Sequence, residues 1–232
     1  MLQQLPAHKI LFLDIETVPL VESWEELSPE WQKLWAKKVE KQLGENEMPD
    51  EFYAKRAGIL AEFGKVICIS CGIIVDNQKL RLKSFYGEDE KSILKEFIQL
   101  LQGKYFDGKL ILCAHNGKEF DFPYLARRMV IHQLELPIAL KFHGKKPWEI
   151  PHLDTMELWK FGDYKHYTSL NLLARVLGIP TPKDDIDGSQ VAEAYYKEKN
   201  LERIKTYCEK DVLTVAQIFR KFRNEPLLEL ES

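Results

Sequence analysis

Four carboxylates and one phenol in this sequence have the types and spacing to do chemistry. Asp14-Ile15-Glu16 follows the apolar run Ile10-Leu11-Phe12-Leu13. Side chains two apart on an extended chain share a face, so Asp14 and Glu16 project together. Carboxylates this close raise each other's pKa unless a cation lies between them. An all-oxygen ligand set suits Mg2+ or Mn2+ better than zinc. Taken alone, the pair also reads as solvated acids ending a strand. Tyr207-Cys208-Glu209-Lys210-Asp211 carries a second signal. Positions four apart share a helix face, which turns Tyr207 and Asp211 together toward the sheet beside Val212 and Val215. An aspartate on that side needs a partner, and a shared cation would be one; an exposed i,i+4 pair is the plainer reading. Asp121 ends the segment His115-Asn116-Gly117-Lys118-Glu119-Phe120-Asp121. Its place near a helix start also fits simple capping. Asn116 stands at a strand end, where its amide can bond a ligand or hold the turn.

These groups need a scaffold that brings distant segments together. Lys9–Asp14 reads as a strand covered on both faces. Residues 20–64 hold Trp24, Trp31 and Trp35, with helix starts at Ser28-Pro29-Glu30 and Met48-Pro49-Asp50, and read as a helical insertion. The tryptophans fit packing anchors better than a stacking platform. Strands are expected over Lys65–Val75 and Lys79–Tyr86, joined at Asp76-Asn77. An amphipathic helix follows over Glu88–Gln102, then a buried strand over Lys109–Ala114. Phe120–His132 is helical, with Pro123 in its first turn. The last third is expected to be helical over Asp154–Lys160, Ser169–Leu177, Ser189–Glu198 and Leu201–Phe222, with Gly178 and Pro180 closing the second. The tail after Asn224 should fray. This order implies an α/β fold with a mixed sheet flanked by helices, in one domain over 1–232 that contains the 20–64 insertion.

Composition limits the function classes. Hydrophobic residues make up 45% and charged residues 30%, as in an ordinary globular domain. No apolar run has membrane-span length, and Met1–Lys9 lacks a signal-peptide layout, so a cytoplasmic protein is expected. Formal net charge is −3, which argues against a protein that coats duplexes electrostatically. It does not argue against an acidic site whose bound ions invert the local charge. Cys68 and Cys71 form a C-x-x-C, but on a strand they point to opposite faces and cannot converge on one metal. The segment from Gly103 to Lys109 has phosphate-loop spacing but the wrong context, lying between a helix and a strand.

Together, Asp14-x-Glu16, the Asn116–Asp121 segment and Tyr207-x-x-x-Asp211 resemble the three exonuclease motifs of the DEDD superfamily, tyrosine subtype, whose fold is ribonuclease H-like. Phe12–Thr17, Phe120–Tyr124 and Tyr207–Asp211 are similar to the proofreading domain of family B DNA polymerases. Tyr167–Leu170, Leu177–Pro180 and Asp187–Ser189 resemble a stand-alone bacterial exonuclease group related to that domain. The resemblance implies a metal-dependent 3′→5′ exonuclease that releases nucleoside 5′-monophosphates. Asp14, Glu16 and Asp211 would hold one Mg2+ or Mn2+, and Asp14 and Asp121 a second. The ions would lie about 4 Å apart, clamping the attacking and leaving oxygens. Tyr207 would orient the water. Thr17, Asn116 and Phe120 would contact the terminal nucleotide, the aromatic by stacking on any base.

The implied partner is nucleic acid with a free 3′ end, single-stranded DNA by its likeness to proofreading domains. At 232 residues no polymerase is expected in the same chain, which leaves service in repair or to a polymerase in trans. An exoribonuclease with the same site and a non-catalytic nucleic-acid-binding module are the alternatives. Arg127, Arg128, Lys141, Lys145, Lys146, Lys165 and His166 could contact a backbone, though each also reads as a solvated residue.

Overall fold

The apolar run that leads into Asp14-Ile15-Glu16 forms an inner strand of the sheet. In the computed structural model, which describes residues 2–76, 78–103, 110–163, 167–180 and 186–231, β1 (Ile10–Pro19) pairs antiparallel with β2 (Gly64–Val75) and parallel with β4 (Ile111–Ala114). β3 (Lys79–Tyr86) pairs antiparallel with β2, and β5 (Leu153–Asp154) parallel with β4. With β6 (Glu229–Leu230) the strand order is β5-β4-β1-β2-β3-β6. This is the expected α/β architecture, a mixed sheet between layers of helices.

Two periodicities set the layers. Leu11, Leu13 and Ile15 point to one face, where they meet Leu94 and Phe97 of α3 (Glu90–Leu101) and Phe122, Leu125 and Met129 of α4 (Asp121–Ile131). Ile10 and Phe12 point to the other, against Val212, Val215, Ala216 and Phe219 of α8 (Leu201–Phe222). Each such buried side chain contributes about 1.5–3 kcal/mol relative to exposure. Continuing the alternation puts Asp14 and Glu16 on the α8 face. α8 lies close to the sheet because Gly72 has no side chain; a Cβ there would stand 3.1 Å from Val212 Cγ1.

β1 differs from its expected span. It runs five residues past Asp14, so the acid pair lies within the strand rather than at its end. β4 covers only Ile10–Phe12 of it. The β1–β2 register slips between Glu16 and Thr17, a bulge of the kind that re-aims side chains beside functional sites.

The segment between β1 and β2 carries α1 (Pro29–Val39) and α2 (Pro49–Arg56). Ser28 caps α1, its hydroxyl oxygen accepting from Trp31 N–H. Trp35 is fully buried, donates from Nε1 to Pro49 O at 2.6 Å, and is ringed by Phe52, Tyr53 and Phe63. It is a packing anchor, and Trp24 and Trp31 lean on the same group through Tyr53 and Phe63.

The expectation of a frayed tail is corrected. Glu229 and Leu230 pair with Lys79 and Leu80 along the outer edge of β3, and Arg81 Nη2 donates to Glu231 at 2.7 Å. An open strand edge offers unpaired backbone groups, and the tail satisfies them. Arg128 is corrected too. It is buried in an ion pair with Glu90 and donates to Ala61 O, joining α4 to α3 and the 57–63 turn. Lys165, His166 and most of the 103–109 segment lie outside the described residues. Among the described residues no helix is long and apolar enough to cross a membrane.

Candidate functional site

The short overlap of β1 with β4 opens the site. Beyond Phe12, the β4 side of β1 is free for another element, and the start of α4 fills it. Asp121 is the first residue of α4 and only 2% exposed. Its carboxylate accepts from the backbone N–H groups of Ile15 and of Asp121 itself. The helix cap proper is Phe120, which makes no side-chain capping bond. Asp121 is therefore held against the strand residue that lies between Asp14 and Glu16. Burial and the charges of Asp154 and Asp211 push its pKa up to about 7, against the opposing backbone bonds.

From the other face α8, which follows α7 (Val191–Tyr196), brings Tyr207 and Asp211. The fully buried stripe of α8 is Ile204, Cys208, Val212 and Val215, so Tyr207 and Asp211 lie on its rim. The Tyr207 hydroxyl bonds to Asp211. Burial, then the charges of Asp211, Glu16 and Asp14, raise the phenol's pKa further, which keeps it neutral. Burial is also the main cause that raises Asp14 well above the usual carboxylate range, followed by Glu16, Asp211 and Asp121. Glu16 is raised by burial and then by Asp211. At 7% exposure it accepts no hydrogen bond from a described residue. Among the described residues no lysine or arginine offsets these three acids. Crowded, water-poor carboxylates with no cationic neighbour form a donor set that fits divalent cations.

The structure thus brings together Asp14, Glu16, Asp121, Tyr207 and Asp211. The three residues expected to touch a nucleotide stand in separate local settings. Asn116 takes φ 63°, and its Oδ1 is buried without a hydrogen-bond partner. Phe120 packs beside Tyr124, ring centroids 5.3 Å apart. The Thr17 hydroxyl is engaged by Tyr124, which donates to Gly58 O at 2.8 Å.

Three further residues escaped the sequence reading. Asp154 is buried; its Oδ1 accepts from Asn116 N–H and Met156 N–H at 2.9 Å and from Glu157 N–H at 3.3 Å, and its Oδ2 from Lys118 N–H at 3.1 Å. One carboxylate thus caps α5 (Thr155–Lys160) and holds the loop that leads to Asp121. Its identity as a helix cap was legible from its position before Thr155; its grip on a loop some forty residues away was not. His115 contacts Thr155 Oγ1 at 2.9 Å and donates from Nε2 to Thr168 O at 2.8 Å. The carbonyl can only accept, which fixes the tautomer, and burial lowers the ring's pKa. Cys208 Sγ stands 3.4 Å from both the backbone O and Oδ2 of Asp14. Cys71 lies on the opposite face from Cys68, in the cluster with Leu11 and Leu13, as strand alternation requires.

Residues 59–225 match the family described as "Predicted 3'-5' exonuclease related to the exonuclease domain of PolB". That span includes Asp121, Tyr207 and Asp211. Over 146 residues the chain is 25% identical to a DNA polymerase of Pyrococcus glycovorans and 24% identical to one of Thermococcus sp. (strain 9oN-7), matching 57% of this chain in each case. The chain spans 18% of the length of each of these relatives. Among solved structures it is similar to the family B DNA polymerase of Pyrobaculum calidifontis, with TM-score 0.53 and 14% identity over 89% of this chain and 23% of that one.

Proposed function

The chain belongs to the family of predicted 3′-5′ exonucleases related to the exonuclease domain of PolB, and on that footing we propose that it shortens single-stranded DNA from the 3′ end, releasing nucleoside 5′-monophosphates. One observation carries the reading. Asp14, Glu16, Asp121 and Asp211 converge from β1, α4 and α8, with the buried Glu16 carboxylate accepting no hydrogen bond from a described residue.

In this reading Asp14, Glu16 and Asp211 would hold one Mg2+ or Mn2+, and Asp14 with Asp121 would hold a second. Such a pair would supply positive charge to the attacking and leaving oxygens of an in-line displacement. Tyr207, neutral and bonded to Asp211, orients the attacking water through its hydroxyl oxygen. Asn116 and Phe120 are the proposed contacts to the terminal nucleotide, Phe120 through its aromatic face. Thr17 acts through Tyr124, fixing the end of β1. The polymerase relatives favour DNA over RNA and support a link to DNA synthesis or repair; in this reading residues 1–232 act as one exonuclease domain.

The test uses 5′-labelled DNA and RNA strands with Mg2+, Mn2+ or chelator. A ladder shortened from the 3′ end of DNA is expected, abolished by chelator and by Asp14→Ala. Strands bound but left intact under every metal condition would refute the enzyme reading, and a ladder from RNA alone would move the substrate to RNA.

A further inference from the structure

The carboxylate site is not built from oxygen alone. Carboxylate oxygens of Asp14 and Glu16 and the sulfur of Cys208 all lie within 4.8 Å of one another. Cys208 is fully buried beneath the acids, one turn of α8 along from Ile204. Zinc with about 2.3 Å to sulfur and 2.0–2.2 Å to oxygen in a tetrahedron has S···O edges of about 3.5 Å. The Cys208 Sγ to Asp14 Oδ2 distance is 3.4 Å. An independent observation points to a ligand here: Glu16, at 7% exposure, accepts no hydrogen bond from a described residue. Hard, octahedral Mg2+ has no use for a thiol, whereas Zn2+ takes mixed sulfur and oxygen ligands.

We propose that Asp14, Glu16 and Cys208 form a thiophilic metal site that overlaps the carboxylate site and takes Zn2+ in preference to Mg2+. Two carboxylates and one thiolate bind the ion, with water completing four-coordination. The thiol proton leaves to solvent as the sulfur–zinc bond forms. Zinc held this way occupies Asp14 and Glu16 and excludes the ions that the proposed hydrolysis needs. The overlap makes the protein sensitive to zinc. The site rests on the geometry of these three residues and not on the exonuclease reading.

The test is therefore spectroscopic. Co2+ added to the full chain should give a near-ultraviolet thiolate-to-metal charge-transfer band that disappears in Cys208→Ser and persists in Cys71→Ala. Titration calorimetry should show Zn2+ bound at least about tenfold more weakly by Cys208→Ser. A band that survives Cys208→Ser, or equal Zn2+ affinity in the two proteins, overturns the proposal. If the serine variant does not fold, zinc-edge X-ray absorption of the wild-type chain decides. One sulfur neighbour at about 2.3 Å supports the site; none, or two, overturns it. Because none of these readouts involves cleavage, failure here is distinct from failure of the nuclease assay.

Discussion

Asp121→Asn should stabilise the cation-free protein while removing its activity. Burial holds the folded-state pKa of Asp121 at about 7, against about 3.9 in an unfolded chain. Between those values the folded state binds the proton that the unfolded state has lost, so stability falls as pH rises through the window. Below about pH 4 both states are protonated and the penalty is absent; above about pH 7 it is fully present. At about 1.4 kcal/mol per unit, the ceiling is on the order of 4 kcal/mol. Asparagine carries no charge and keeps an acceptor oxygen for Ile15 N–H, and the bond to the ionised carboxylate is already contained in the folded-state pKa. The gain above pH 7 therefore approaches the ceiling of about 4 kcal/mol, or roughly 8–16 °C in Tm for a chain of this size. Thermal melts in chelator should therefore show wild type and variant converging near pH 4 and separating toward pH 8, the variant higher. Saturating Mg2+ should narrow the gap by stabilising wild type. A variant that melts lower at pH 8 in chelator, or a gap independent of pH, would refute the account of a strained acidic cluster. Hydrolysis should fall at least about a hundredfold, the loss expected when one of several charge-stabilising contacts is removed.

Two other substitutions probe separate parts of the site. Tyr207→Phe should lower kcat by about ten- to a hundredfold while leaving Mg2+ affinity within about twofold, because the hydroxyl positions water and does not ligate; calorimetry showing a parallel loss of Mg2+ binding would reassign it. Asp154→Ala leaves four backbone N–H groups without their acceptor and should cost about 3 kcal/mol, about 6–12 °C in Tm. Asp154→Asn, which keeps one acceptor oxygen, should recover part of that loss in a denaturant melt.

The parts of the site that follow a local period were readable from sequence. Asp14 and Glu16 share a face because a strand repeats every two residues, and Tyr207 and Asp211 because a helix turn spans about four. The helix boundaries follow caps that the sequence carries, such as Ser28 before α1 and Ser169 before α6 (Leu170–Val176). What was not readable depends on contacts between distant segments. Asp121 looks like a helix cap until β1 is seen to outrun β4 and to present Ile15 N–H. Cys208 looks like one more core thiol until α8 docks on Asp14. β5 and β6 are two residues each, too short for any period, and exist only because neighbouring strands offer them an edge. Arg128 looks like a surface base until Glu90 is found beneath it.

The contact between Cys208 and Asp14 joins positions 194 apart in the chain. Closing so long a loop is slow, and contacts of this kind form after local helices and the nearer strand pairs. The apolar stripe of α8 can dock on Ile10 and Phe12 before the acids approach, since it gains by burial while they repel. The acidic cluster is therefore a late element of folding, little formed in the transition state. A cation bound there acts almost wholly on the native side of the barrier. It lengthens the lifetime of the folded chain and leaves the speed of folding nearly unchanged.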